Sequence, residues 1–96
     1  MTWRTRRTLC VLAAIAGLGE REWGASNREV AERAGIRELE ADPPQMSRLL
    51  WCLEALELIE NTTHRQFRGG PNAWRLTTKG GEVQRELEAQ GASVPA

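Results

Sequence analysis

The chain has 96 residues, of which 41% are hydrophobic and 27% charged, a balance typical of one small globular domain. Its 13 basic and 13 acidic residues cancel, so a uniformly basic coat is excluded and any affinity for nucleic acid depends on how the charges are distributed. Two cysteines and one histidine exclude a disulfide scaffold and a structural zinc cluster, and neither a metal nor a cofactor is expected. No apolar run reaches the roughly 18–20 residues that span a bilayer, so no membrane partner is expected.

The first predicted element is a helix that includes residues 9–18. Its apolar residues form two sets at helical spacing, Leu9, Leu12 and Ala16 in one and Val11, Ile15 and Leu18 in the other. Three arginines before this stretch and a small-residue site within it also imitate a secretory signal peptide. We expect a helix instead, because so short a chain needs these residues for its core. The arginines would then form a frayed, solvated end or add phosphate contacts; they are Arg4, Arg6 and Arg7.

Two strong helix start signals follow. Ser26 and Glu29 have the spacing of a capping box, in which each side chain bonds the other residue's backbone amide, and Gly35 ends this short helix. Asp42 followed by two prolines begins the third helix, since a proline in the first turn lacks only a donor that would be unpaired anyway. Gln45 stands where it would complete a second capping box.

The third helix is predicted over about residues 43–57, and its two faces differ. The core face repeats at three- and four-residue spacing and comprises Met46, Leu49, Leu50, Leu53 and Leu56. The residues that fall largely off this face are Gln45, Ser47, Arg48, Trp51 and Cys52. Two helices joined by a tight connection, the second with an uncommitted polar face, indicate a helix-turn-helix arrangement.

Two short strands are predicted next, over residues 58–63 and 73–76, with a glycine-containing turn between them. Trp74 and Leu76 share one face of the second strand, and Arg75 lies on the other. Residues 62–81 contain four basic residues and no acid, so the hairpin is basic. Thr77 or Thr78 then caps a last helix.

This order predicts a mainly α (α+β) fold of the winged helix-turn-helix type. It has a three-helix core, a two-stranded β-hairpin wing over about residues 62–76 and a C-terminal helix. Residues 1–90 form a single domain, and residues 91–96 form a frayed tail.

Three segments resemble winged helix-turn-helix regulators of the multiple antibiotic resistance regulator (MarR) type in high-GC actinobacteria. They are SNREVAERAGI at 26–36, QMSRLL at 45–50 with LELIEN at 56–61, and GPNAWRLT at 70–77 followed by Lys79-Gly80. The resemblance covers about residues 26–82 and implies a DNA-binding regulator whose recognition helix is the third helix. Glu57 stands where the family usually has glycine, so we expect the helix to end differently. Trp51 and Cys52 replace small or basic residues, and little of the chain remains for the family's flanking dimerisation helices.

The candidate DNA contacts are on the third helix, at the start of the second and in the wing. A major groove about 12 Å wide admits one helix, whose N-terminal half then reaches the base edges. Gln45 can pair with adenine and Arg48 with guanine, while arginines in the wing can bind the backbone or the minor groove. Each of these residues also has an explanation without DNA contact. Arg48 would be a solvated helix residue, Gln45 would cap the helix, and the wing arginines would serve solubility. The candidates are Ser26, Pro44, Gln45, Ser47, Arg48, Trp51, Arg65 and Arg68.

The function predicted from the sequence is a cytoplasmic transcription regulator that binds duplex DNA, with a homodimer as its expected form. The alternative is a winged-helix module for protein interaction or dimerisation without DNA binding, which zero net charge and four tryptophans favour. An enzyme is not expected, because no nucleophile with a base and no carboxylate pair has usable spacing. Trp74 is expected in the core and His64 on the wing surface. Cys10 is expected to be a buried, inert thiol, and Cys52 a buried free thiol, with an exposed, redox-sensing thiol as the alternative.

Overall fold

The computed structural model describes residues 3–18, 25–62 and 73–90. Over these residues the chain forms α1 (Trp3–Leu18), α2 (Asn27–Ala34), α3 (Arg37–Ala41), α4 (Pro43–Ala55), β1 (Ile59–Asn61), β2 (Trp74–Leu76) and α5 (Thr78–Ala89). The predicted order of helices, hairpin and final helix is confirmed, with α3 as an additional element. The predicted frayed tail at 91–96 lies outside the described residues. None of the described helices is long and apolar enough to cross a membrane.

Helix α1 supplies a large part of the hydrophobic core. Its buried residues are Leu9, Cys10, Val11, Leu12, Ala14 and Ile15, so the stretch that imitates a signal peptide packs as a helix face. The helix begins at Trp3, earlier than the apolar pattern indicated. The expectation of a frayed arginine-bearing end is therefore wrong, since Arg4, Arg6 and Arg7 lie within the first two turns.

The capping box predicted at the start of α2 is confirmed. The Ser26 hydroxyl accepts from the Glu29 amide at 3.2 Å, and the Glu29 carboxylate accepts from the Ser26 amide at 3.2 Å. Gly35 ends the helix in the left-handed conformation, with φ of 70°, which glycine adopts at little cost.

The connection between α2 and α4 contains the short helix α3, which the sequence analysis did not predict. Ile36 precedes it without a side-chain cap, and Leu39 is its one buried residue. One turn of helix with a single apolar position leaves no periodicity to detect. The predicted three-helix core accordingly has four helices before the hairpin.

Helix α4 begins as predicted, because the Asp42 carboxylate accepts from the Gln45 amide at 3.1 Å and prolines occupy the first turn. The second half of the predicted capping box is wrong, since the only side-chain cap at this end is Asp42. The helix ends at Ala55 rather than near 57. Leu56 was expected on the core face but is 56% exposed, because the chain turns away at this point.

The turn that follows α4 is a Schellman motif built on a non-glycine residue. Glu57 has φ of 63°, the Leu58 amide bonds the Leu53 carbonyl at 3.0 Å, and the Glu57 amide bonds the Glu54 carbonyl at 2.9 Å. Leu58 and Leu53 are both buried, which is the apolar contact typical of this motif. The expectation of a differently made helix end is therefore wrong, since Glu57 takes the left-handed conformation that usually belongs to glycine.

The two strands form an antiparallel pair in which Ile59 faces Leu76 and Asn61 faces Trp74. Ala25, predicted as part of a linker, instead pairs with Trp74 from the other side: the Trp74 amide bonds the Ala25 carbonyl at 2.8 Å and the reverse bond is 3.1 Å. Strand β2 thus lies between β1 and Ala25. Trp74 is 1% exposed, so its predicted place in the core is confirmed.

Helix α5 packs its first turn directly on the end of the Schellman turn. Thr77 caps the helix by accepting from the Gly80 amide at 3.0 Å, and the Thr77 amide bonds the Leu58 carbonyl at 3.1 Å. A Cβ atom at Gly80 would lie 1.9 Å from the Leu58 carbonyl oxygen, so only glycine fits here. The start of α5 is therefore fixed to the end of α4.

Candidate nucleic-acid interface

The outward side of α4 is a ridge formed by Pro44, Arg48, Trp51 and Ala55. These residues follow one another at four- and three-residue spacing, and all are exposed, Trp51 by 60%. The opposite side carries Met46, Leu50 and Leu53, which are buried in the core. The helix is therefore anchored by one face and leaves the other open, as the sequence predicted.

Gln45 and Ser47 lie on opposite edges of this ridge, and both are half-buried. The Gln45 side chain does not cap α4 and bonds no other residue in the described part of the chain, so its amide has both its donor and its acceptor available for a ligand. The capping role predicted for Gln45, which would compete with base reading, is therefore not observed.

Arg48 is the one positively charged residue among the four that form the ridge. Across the described ranges, no acidic side chain pairs with it. Arg28, near the start of α2, is exposed but binds Glu32 at 2.9 Å. Because Glu54 is also exposed on α4, the described surface around the ridge carries mixed charge, not a basic patch.

The start of α2 adjoins the ridge through Asn27. The Asn27 side-chain amide donates to the Ser47 hydroxyl at 3.3 Å, and its carbonyl oxygen accepts from the Trp74 indole at 2.6 Å. One residue of α2 therefore joins helix α4 to strand β2. Ser26, immediately before Asn27, uses its hydroxyl oxygen to cap α2.

A groove of about 460 Å³ runs between α2, α3 and α4. Ala31, Leu39 and Met46 form its apolar floor, and Asn27 and Ser47 border it. The side of Ser47 that faces this groove is consequently not covered by other parts of the chain.

The predicted wing contacts Arg65 and Arg68, together with His64, lie outside the described residues. The strands that lead toward them are well connected: the Thr62 amide bonds the Ala73 carbonyl at 2.7 Å, and the Ala73 amide bonds the Asn61 side chain at 3.1 Å. Strand register up to residues 62 and 73 is therefore set by backbone and side-chain hydrogen bonds.

The two thiols differ in accessibility. Cys10 is buried in the core as expected, and burial raises the pKa of its thiol more than nearby Arg6 lowers it. Cys52 was expected to be buried but is exposed, because its position on α4 falls beside the ridge. Within 3–18, 25–62 and 73–90, no group of three or more histidine, cysteine or acidic side chains is placed to hold a metal ion.

Asn27 is the site residue that sequence reasoning missed. It follows the capping serine, and nothing in its local context indicates a partner. Its contacts are 20 and 47 positions away in sequence, so only the folded chain brings them together.

Comparison with solved structures identifies transcriptional regulators. The chain is similar to the PcaV transcriptional regulator from Streptomyces coelicolor, with a TM-score of 0.66 and 27% identity over 90% of this chain. The same regulator in complex with its natural ligand gives a TM-score of 0.62 and 26% identity over 96% of the chain. ZitR, a zinc-responsive MarR family member from Lactococcus lactis, gives a TM-score of 0.57 over 98% of the chain and, at 23% identity, shows likeness of fold.

These likenesses confirm the predicted MarR-like winged helix-turn-helix architecture. PcaV is a transcriptional regulator, which agrees with the class of protein predicted from the sequence. The chain spans 56% of the length of each of these structures. No protein-family model matches the sequence, and no curated protein matches it.

Proposed function

We propose that this chain is a transcription regulator that binds duplex DNA sequence-specifically and that α4 enters the major groove. The observation that carries the proposal is the open ridge of α4, anchored from behind by Met46, Leu50 and Leu53. A helix held in this way presents its exposed side chains at fixed spacing, as recognition of base edges requires.

Arg48 and Gln45 are the proposed base-reading residues. The Arg48 guanidinium suits the two acceptors of guanine, and the Gln45 amide suits the donor and acceptor of adenine. Each such bidentate pair gives roughly 1–3 kcal/mol of discrimination against the wrong base. Pro44 and Trp51 flank them on the ridge and contact the groove through apolar surface.

Phosphate contacts come from the start of α2 and from the wing. The positive end of the α2 dipole and the hydroxyl of Ser26 favour a phosphate at this point. Arg65 and Arg68 are proposed to bind the backbone or the minor groove. These contacts fix the orientation of the protein without reading sequence.

Two copies acting together are proposed as the functional form in the cytoplasm. A single module of this kind buries only about 600–1,000 Å² of protein surface on DNA, which limits specificity. A two-fold symmetric pair reads an inverted repeat with half-sites about one helical turn apart.

Titration of duplex DNA at rising salt tests the proposal. Arg65 and Arg68, the two arginines proposed to bind the backbone, imply a slope of log K against log salt of about −2 per copy. Absence of binding at about 50 mM salt, or binding without a salt slope, contradicts DNA as the partner.

Selection of bound duplexes from a random pool tests specificity and symmetry together. We expect an enriched inverted repeat containing guanine and adenine in each half-site. Recovery of an unenriched pool after several rounds contradicts sequence-specific binding.

A protein-docking role is the second candidate, and exposed apolar side chains favour it. Trp3, Trp51 and Leu56 are each more than half exposed. Large apolar side chains on a surface are typical of protein interfaces. Substituting Trp51→Ala separates the two functions: loss of an oligomer with unchanged DNA affinity assigns Trp51 to an interface, whereas loss of DNA affinity alone supports its place in the groove.

A further inference from the structure

We propose that a chain of hydrogen bonds from Trp74 through Asn27 makes Ser47 a donor toward DNA, so that Ser47 selects hydrogen-bond acceptors. The inference rests on the proposed function, because it specifies what one edge of the α4 ridge recognises. Ser47 acts as the contact, and Asn27 and Trp74 act as positioning residues.

Trp74 fixes the first link. An indole nitrogen only donates, so the atom of Asn27 that lies 2.6 Å from it must be the side-chain carbonyl oxygen. Trp74 is 1% exposed and is held by the backbone of β1 and Ala25 on both sides, so the indole has no freedom to turn away. The Asn27 amide is thereby locked in one of its two orientations.

Asn27 fixes the second link. With its oxygen toward Trp74, its NH₂ group faces the Ser47 hydroxyl oxygen at 3.3 Å and donates to it. The Ser47 oxygen then accepts from inside the protein, and its own hydrogen must point elsewhere. Within the described part of the chain, no carbonyl or carboxylate accepts that hydrogen.

The consequence for recognition follows from the serine hydroxyl. A serine that is free to rotate pairs with either a donor or an acceptor on a base edge. Ser47 offers its hydrogen, so it suits a phosphate oxygen, the N7 or O6 atom of guanine, or the O4 atom of thymine. The amino groups of adenine and cytosine cannot accept this hydrogen and can bond only the remaining lone pair of the hydroxyl oxygen, so acceptors are favoured over them.

The substitution Asn27→Asp reverses the polarity of this chain of bonds. A carboxylate accepts from the Trp74 indole and also from the Ser47 hydroxyl, so the serine hydrogen turns inward. Aspartate is also favourable in the first turn of a helix. The variant is therefore suited to keep the fold while removing the outward donor, and its melting temperature checks this.

A double-mutant cycle with Ser47→Ala separates the effect of reversing the Ser47 hydrogen bond from the effect of the negative charge that Asn27→Asp adds. Asn27→Asp is expected to weaken binding about tenfold when Ser47 is present. In the Ser47→Ala background the same change is expected to cost only about two- to threefold, because no Ser47 hydroxyl remains to be reoriented and the added negative charge still opposes DNA. Equal penalties in both backgrounds overturn the proposal, as does unchanged affinity of Ser47→Ala alone.

Chemically modified DNA duplexes identify the DNA atom that accepts from the Ser47 hydroxyl. This experiment does not require a substitution at Asn27 or Trp74. Replacing guanine by 7-deazaguanine removes N7, and replacing a single phosphate by methylphosphonate removes its charged oxygen. One of these changes is expected to weaken binding of the unsubstituted protein and to leave Ser47→Ala unaffected. If neither change, nor removal of any other acceptor, distinguishes the two proteins, the proposal is wrong.

These outcomes are distinguishable from failure of the proposed function. An unsubstituted protein that binds duplex with a salt slope, yet gives an additive cycle, loses the Ser47 assignment and keeps its function. An unsubstituted protein that does not bind duplex contradicts both.

Discussion

The Trp74 indole donates to the side-chain oxygen of Asn27 at 2.6 Å, across 47 positions of sequence. This bond ties strand β2 to the first turn of α2, and Asn27 continues it to Ser47 on α4. Strand β2 and the helices α2 and α4 are therefore joined by side chains as well as by the chain itself, which fixes β2 relative to the ridge.

Replacing Trp74 with phenylalanine tests this connection. Trp74→Phe is expected to lower the free energy of unfolding by about 1–3 kcal/mol, because it removes buried ring volume and leaves the Asn27 oxygen without its donor. Urea denaturation followed by circular dichroism measures the change. The control Trp51→Phe, at an exposed position, should stay within about 0.5 kcal/mol, and equal losses at both positions would contradict the packing described.

The left-handed backbone conformation of Glu57 leads to the prediction that a glycine substitution stabilises the protein. Glu57→Gly is expected to stabilise the protein by about 1 kcal/mol, since glycine accepts a φ of 63° without the strain of a side chain. Glu54→Gly, three residues earlier within α4, should instead destabilise by about 1 kcal/mol. Thermal melts of both variants check the contrast, and a destabilised Glu57→Gly variant would refute this helix end.

The adjacent glycines of α5 give a matched pair. Gly80→Ala places a Cβ atom against the Leu58 carbonyl and is expected to cost about 1–3 kcal/mol in unfolding free energy. Gly81→Ala meets nothing within 4 Å and is expected to stabilise the helix by about 0.5–1 kcal/mol. Chemical denaturation compares the two variants. Similar effects of both substitutions would show that α5 does not start against the Schellman turn.

The two cysteines should react very differently with a maleimide. Cys52 is exposed and is expected to be modified rapidly in the folded protein. Cys10 is buried, and its raised pKa keeps it a thiol through neutral pH, so it should react only after unfolding. Because its folded-state pKa is raised, Cys10 stabilises the fold below its unfolded pKa, and that contribution is lost as pH rises through the folded pKa. Mass spectrometry counts the labels at neutral pH, and two rapid labels would contradict the packing of α1.

Much of the fold was predictable because the signals are local. The capping pair Ser26 and Glu29, the Asp42 start and the apolar spacing of α4 each act within one or two turns of chain. Helix α3 was not predictable, since one buried residue gives no period. The exposure of Leu56 depends on where α4 ends, and the pattern alone placed that end too late.

The site was predictable only in part, for a related reason. Helical spacing separated the ridge from the core face, so Arg48 and Trp51 were correctly assigned to the open side. The role of Asn27 depends on Trp74 and Ser47, which come near it only through the fold. Likewise, the left-handed Glu57 contradicts the residue preference of that conformation, and the sequence therefore indicated a different turn.

Arg48 and Arg85 provide the most direct comparison for DNA binding. Arg48→Ala is expected to weaken binding of the selected duplex by about tenfold or more, because a bidentate guanine contact is lost. Arg85→Ala, an exposed position on α5, is expected to change affinity by less than about threefold. Equal effects would mean that only general charge matters.

Dimethyl sulfate footprinting of the selected duplex tests most directly whether α4 occupies the major groove, since this reagent methylates guanine N7 there. The bound protein is predicted to protect at least one guanine in each half-site, and Arg48→Ala is predicted to lose that protection at concentrations where it still occupies the DNA. Binding that leaves every guanine N7 reactive would contradict insertion of the α4 ridge into the duplex.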